Sequence, residues 1–232
     1  MKNYLFILLI CLGCASKKEI VAPKFESKIV SNEKLSCRAI FVDTDKVWLG
    51  MDKGRYGFYD KKKDTLVVKT IQSVSNTTEF RSIAATKDAI FILAVGNPAK
   101  LIKIDKKSLQ ETIVYQEENE KVFYDSMQFV DNLNGFAMGD PTEDCLSFIK
   151  TADGGNSWEK VSCANFPKVS EGEAAFATSN TNLIVKGKSI FMVSGGKKSR
   201  VFVSHDFGTS WQVYETPIVQ GEEMTGIFTA DF

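Results

Sequence analysis

The sequence predicts an all-β protein assembled from a repeated unit of four short strands, and three observations carry that prediction. An octapeptide occurs twice, at 151–158 and 204–211, with Ser or Thr, Asp, Gly, Ser and Trp in the same places. Segments at 37–41, 80–84, 124–128 and 172–176 align, and a fifth begins at 224–228. Their second positions, Arg38, Arg81, Asp125, Glu173 and Thr225, stand 43, 44, 48 and 52 residues apart. From Cys37 onward the apolar runs are short and are broken by Gly, Asn, Asp and Lys, leaving no long helix.

Each octapeptide has the chemistry of a tight hairpin. Gly155 and Gly208 supply the positive φ that such a turn needs. The oxygens of Thr151, Asp153 and Ser157, and of Ser204, Asp206 and Ser210, can bond the turn's own amides. Trp158 and Trp211 then open the returning strand with a large face to bury. In the first two repeats the turn has decayed. Asp60 and Asp105 remain in polar turns without the Gly and Trp.

The elements follow in order. Within 14–35, which is polar and Lys-rich, the stretch 25–30 has the pattern of one strand. Each repeat starts with its aligned segment and continues with a second apolar strand, at 46–50, 89–95, 135–138 and 189–193. A Gly-containing turn comes next (Gly50, Gly96, Gly139 and Gly195), then a third strand, the Asp-bearing turn and a fourth strand. If the first octapeptide turns between Gly154 and Gly155, Cys145 faces Cys163 across the hairpin. An oxidising compartment would make that pair a disulfide; the alternative is two buried thiols. Cys37 has no evident partner.

Both octapeptides resemble the Asp-box of sialidase-type and related β-propellers. The resemblance implies four-stranded blades, with the Asp-box between the third and fourth strands and away from the ligand-binding face. About four and a half repeats are present, with the chain stopping at Phe232, so the expectation is a shortened six- or seven-bladed ring. The segments around Phe80, Tyr124 and Glu173 are similar to exported bacterial propellers related to photosystem II stability/assembly factors. That similarity covers about 36–232 and implies a protein-binding or assembly role. Some members of that group carry an oxidoreductase label, for which this sequence shows no redox centre.

The N-terminus resembles a bacterial lipoprotein signal. A basic start is followed by an apolar run too short to span a bilayer, and Leu12-Gly13 precedes Cys14. The resemblance divides the chain into a signal peptide at 1–13, a tether at 14–35 and a propeller domain at 36–232, with Cys14 lipidated. Ala15, not being Asp, points to an outer-membrane lipoprotein of the cell envelope.

Composition narrows the function. Twenty-nine basic and 29 acidic groups balance, against the basic excess of a nucleic-acid binder. His205 is the single histidine, which removes His-based triads and His-rich metal sites; Gly195-Gly196-Lys197 lacks phosphate-loop spacing. No metal and no cofactor is expected. Blade geometry places Arg38, Arg81, Tyr124, Asp125, Asp140, Glu173 and Arg200 at the first-strand end, near the central axis. The functional expectation is a polar recognition face for a protein partner, without catalysis. The bland alternative is a ring of inter-blade ion pairs, such as Arg81 with Asp125. A second alternative is a sialidase-like glycosidase or glycan binder, which would need three arginines on a carboxylate and a Tyr nucleophile paired with Glu. The chain has four arginines, and neither Arg38 nor Arg81 stands in an Arg-Ile-Pro context.

Overall fold

Each repeat folds into an antiparallel four-stranded meander. The computed structural model describes residues 23–176 and 180–231. Sheet one is β1 (Cys37–Val42), β2 (Lys46–Met51), β3 (Arg55–Asp60) and β4 (Thr65–Thr70), in sequence order. Sheet two is β5 (Phe80–Ala85), β6 (Ala89–Ala94), β7 (Ala99–Asp105) and β8 (Glu111–Glu117). Sheet three is β9 (Tyr124–Phe129), β10 (Gly135–Gly139), β11 (Ser147–Thr151) and β12 (Glu159–Lys160). A two-residue strand, β13 (Glu173–Ala174), precedes sheet four, which runs β14 (Leu183–Lys186), β15 (Ser189–Val193), β17 (Arg200–Ser204) and β18 (Gln212–Glu215). Between β15 and β17, β16 (Gly195–Gly196) pairs with β13. This is a β-propeller with four-stranded blades.

The first strands β1, β5, β9 and β14 neighbour one another in turn, so they form the inner wall. A separate apolar core fills each gap between sheets. Trp48, Phe58 and Phe80 lie between sheets one and two; Phe91, Tyr124 and Trp158 between two and three; Phe136, Phe148 and Phe202 between three and four. A strand covered on both faces has no polar side to show. Every residue of β6 (Ala-Ile-Phe-Ile-Leu-Ala) is accordingly buried.

Three segments differ from the sequence expectation. In the fourth repeat, 172–176 contributes only β13, and the inner strand of sheet four is β14. A tight hairpin pairing Lys186 with Ser189, with Gly187 at φ 60°, gives β15 a nearer partner in sequence. The fifth segment, 224–228, starts no new sheet among the described residues. Gly226 bridges Gly195, and the Gly196 amide donates to the Thr225 carbonyl at 2.7 Å, laying this stretch on the fourth repeat. The stretch 25–30 forms no strand; Phe25 and Ile29 are exposed, and Lys28 is ion-paired with Asp64. The proposed lipidation site Cys14 and the signal region 1–13 lie outside the described residues.

The two octapeptide turns are built alike. The Asp153 Oδ1 accepts the Thr151 hydroxyl (2.8 Å) and the amides of Asn156 (2.9 Å) and Ser157 (3.1 Å), while Oδ2 accepts the Ser157 hydroxyl at 2.7 Å. Asp206 repeats these contacts with Ser204, Thr209 and Ser210 at 2.6–3.1 Å. Asp206 is held at about 2, first by the Ser210 hydroxyl and then by the Ser210 amide. At Gly155, with φ 73°, an added Cβ would stand 2.3 Å from the Phe91 ring, so glycine is needed for contact as well as for the turn. Trp158 packs on Phe129 (5.6 Å) and Phe91 (6.3 Å), and Trp211 on Phe166 (4.8 Å) and Phe148 (5.4 Å). Each turn thereby grips the preceding blade. Cys145 and Cys163 are disulfide-bonded, with Cα atoms 5.5 Å apart, closing the base of the β11–β12 hairpin.

Candidate functional site at the first-strand end

Three first strands carry a β-bulge at the same place. In sheet one Cys37 faces Met51 and Ala39 faces Gly50, so Arg38 is the extra residue. In sheet two Phe80 faces Ala94 and Ser82 faces Leu93, making Arg81 the extra residue. In sheet three Tyr124 faces Gly139 and Ser126 faces Met138, leaving Asp125. A bulge removes one residue from the ladder and re-aims its side chain. The aligned second positions of the repeats are therefore the bulge residues. Gly139 permits the third of them: an added Cβ there would lie 2.2 Å from the Phe123 carbonyl oxygen.

The charges delivered to this end do not pair as a ring between blades. Arg81 donates from Nη2 and Nε to Glu79 Oε2 at 2.9 and 3.1 Å, within its own segment, and its guanidinium stands 5.7 Å from the Phe123 ring centroid. Glu79 went unread in the sequence, although residues two apart share a strand face. Glu173 is fully buried and takes Arg200 in two-point contact, at 3.0 Å from Nε and 2.5 Å from Nη2. The Ser194 hydroxyl (2.6 Å) and the Ser170 amide (2.8 Å) complete its shell. Glu173 and Arg200 thus serve packing between β13 and β17. Arg38 is exposed and has no ion pair among the described residues.

Asp125 is the anomaly. Its relative exposure is 0%, and neither carboxylate oxygen has a hydrogen-bond partner. Burial first, and then the neighbouring Asp140 charge, push it well above the usual carboxylate range, against the pull of Arg81. Asp140 follows Gly139 at the end of β10 and accepts the Ala175 amide at 2.8 Å, tying sheet three to the fourth repeat. Burial raises Asp140 from 3.8 to about 6, opposed by that amide. Its folded value lies above its unfolded one, so its contribution to stability is full below 3.8 and is lost as pH rises through about 6. Asp140→Asn is expected to flatten the dependence of unfolding free energy on pH across that window, measured by urea melts. An unchanged slope would mean that Asp140 titrates as if in water.

Tyr124 opens β9 at this end, but its side chain is buried between sheets two and three. Its buried hydroxyl donates to Glu117 Oε2 at 2.8 Å, beside Tyr115, and Glu117 also takes Lys160. Burial, then Tyr115 and Glu117, push the phenol well above 10.0. This network joins sheets two and three. Nothing in the repeat pattern signalled it, because β8 and β12 are outer strands whose partners depend on how the blades stack. Asn180 was also missed. It donates to the Ile83 carbonyl (3.2 Å) and accepts from Ser82 (2.9 Å) and the Met127 amide (3.1 Å), clamping the neighbouring inner strands β5 and β9 together.

Two cavities open at this end. One, of about 450 Å³, is walled by Glu79, Arg81, Asn97 and Lys100 among others. The other, of about 590 Å³ between the third and fourth repeats, includes Lys121, Asp140, Glu143, Glu171 and Glu173. Such clefts suit binding of charged groups. Three of the four arginines are committed to Asp52, Glu79 and Glu173, so no three-arginine carboxylate clamp forms. The cluster of Glu143, Asp144 and Cys163 offers a metal only two ligand groups, since Cys163 is held in the disulfide.

No protein-family model matches the chain, and no curated protein matches its sequence. Its fold is similar to that of U3-55K, with TM-score 0.61 and 12% identity over 81% of this chain and 54% of that one. It is likewise similar to the WD40 repeats of RRP9, with TM-score 0.59 and 11% identity over 81% and 53%. YCF48 bound to D1 peptide aligns with TM-score 0.47 and 10% identity over 88% of this chain and 77% of that one. The chain spans about half the length of the first two. At these identities the likeness is one of fold alone.

Proposed function

We propose that this chain is a non-catalytic, lipid-anchored propeller of the cell envelope that binds a protein partner through the first-strand end of its blades. The observation that carries the reading is the bulge at the same register in three blades, where the inner strands converge, with Arg38 exposed, Arg81 half-buried and Asp125 buried beneath the surface. The opposite end is occupied with its own structure. There the turns close on themselves through Asp153 and Asp206, in the manner of Asp-boxes, and Lys106 is ion-paired with Asp43 at 2.7 Å. Propellers commonly serve as binding scaffolds, and the Tyr124 and Glu173 segments resemble exported propellers with assembly roles. The anchor and the envelope location rest on the Cys14 signal alone.

A sialidase-like reading draws on one contact, the Tyr124–Glu117 hydrogen bond. A nucleophilic phenol needs access and a lowered pKa; Tyr124 has 0% exposure and a raised one. The scaffold reading predicts where a partner touches. A photo-crosslinking residue in place of Arg38 is expected to trap an envelope protein in living cells, and one in place of Asn156 is expected to trap none. Cross-links confined to position 156, or sialoside turnover abolished by Arg38→Ala and Arg81→Ala, would overturn it.

A further inference from the structure

At the first-strand end the third and fourth repeats bring together three carboxylates, Asp125, Asp140 and Glu173, and among the described residues only Glu173 is ion-paired. Glu173 has Arg200. Asp140 has a single backbone donor, and Asp125, completely buried beside it, has no hydrogen-bond partner at either oxygen. Arg81, the positive charge felt by Asp125, directs its N–H groups to Glu79 instead. The cavity that Asp140 helps to wall carries Glu143 and Glu171 as further carboxylates, neither ion-paired among the described residues. Its lysine is Lys121, while the nearby Lys168 is engaged by Asp144 at 2.5 Å. A buried carboxyl left without partners costs free energy that an incoming donor recovers. A charged donor does so best, by bonding to one carboxylate and lowering the cost of ionising the next.

We propose that the cleft between the third and fourth repeats receives a lysine or arginine side chain of the partner, with Asp140 as the direct acceptor and the buried Asp125 carboxyl behind it. This deepens the scaffold reading and rests on it: the partner would dock through a basic segment. The charge of the cleft is the argument for the occupant. An acidic or apolar peptide would leave Asp125 unpartnered and Asp140 with its single backbone donor.

The probes are fluorescein-labelled, end-blocked tetralysine and tetraglutamate, titrated by anisotropy into the full chain at pH 7.5 and low salt. Tetralysine is expected to bind, and tetraglutamate not. Asp140→Asn is expected to weaken tetralysine at least tenfold and Asp125→Asn at least threefold. Asp45→Asn, which removes a carboxylate paired with Lys62 at the opposite end, should leave it unchanged. Asp125→Asn alone carries a risk of misfolding, so the Asp140 variant decides. Equal binding of tetralysine by wild type and Asp140→Asn would overturn the proposal. So would calcium ions that bind with the same Asp140 dependence and displace the peptide, since the site would then be one for a metal. Loss of tetralysine binding with cross-links still formed from position 38 would reject the basic-segment inference alone; loss of both would reject the scaffold reading.

Discussion

Replacing Glu173 with alanine is expected to lower the free energy of unfolding by about 3–5 kcal/mol, the range for removing one partner of a buried ion pair. Glu173 is completely buried, and its removal strands the Arg200 guanidinium, whose side chain is only 13% exposed. The Ser194 hydroxyl and Ser170 amide lose their acceptor at the same time. Arg200→Ala should cost a similar amount. The double replacement Glu173→Met with Arg200→Leu should recover most of it, because the desolvation of both charges disappears with them. Urea denaturation followed by tryptophan fluorescence measures all three. A loss below about 1 kcal/mol in Glu173→Ala would show that water reaches the pair.

Breaking the Cys145–Cys163 bond is expected to cost about 3 kcal/mol, from the chain-entropy relation for a loop of this size. The two cysteines are 18 residues apart and close the hairpin that carries the first octapeptide. Both lie in the apolar core between the third and fourth sheets, so alanine is the suitable replacement. Reductant should lower the denaturation midpoint of the wild-type chain by as much as the Cys145→Ala/Cys163→Ala double substitution does. It should have no effect on that double variant. A wild-type midpoint indifferent to reductant would remove the bond as a source of stability.

The repeat was legible because turn chemistry is local. An Asp two residues after Ser or Thr, with Gly and Ser following, satisfies its own amides whatever surrounds it, and Asp153 and Asp206 do so with matching contacts. Alignment of the first strands found more than the repeat. Arg38, Arg81 and Asp125 share a position because each is the unpaired residue of a bulge, a backbone feature that recurs with the repeat. The fourth repeat broke the pattern, since the Lys186–Ser189 hairpin supplied β15 with a closer partner than 172–176.

Charge pairing was the part that the sequence left open. Opposite charges at aligned positions suggested Arg81 with Asp125, yet Arg81 lies on Glu79 and Asp125 has no hydrogen-bond partner. An ion pair forms where two side chains meet within 4.0 Å, and that depends on how far each blade is rotated about the axis, which no single repeat encodes. The sequence by itself determined the first three blades, the Asp-bearing turns and the disulfide-closing hairpin, because these are set by residues near one another along the chain. Only the tertiary structure decided that Glu173 and Arg200 neutralise each other while Asp140 lines a cleft and Asp125 is buried without a hydrogen-bond partner. Burial and neighbouring charge, which exist only once the blades stack, set those roles.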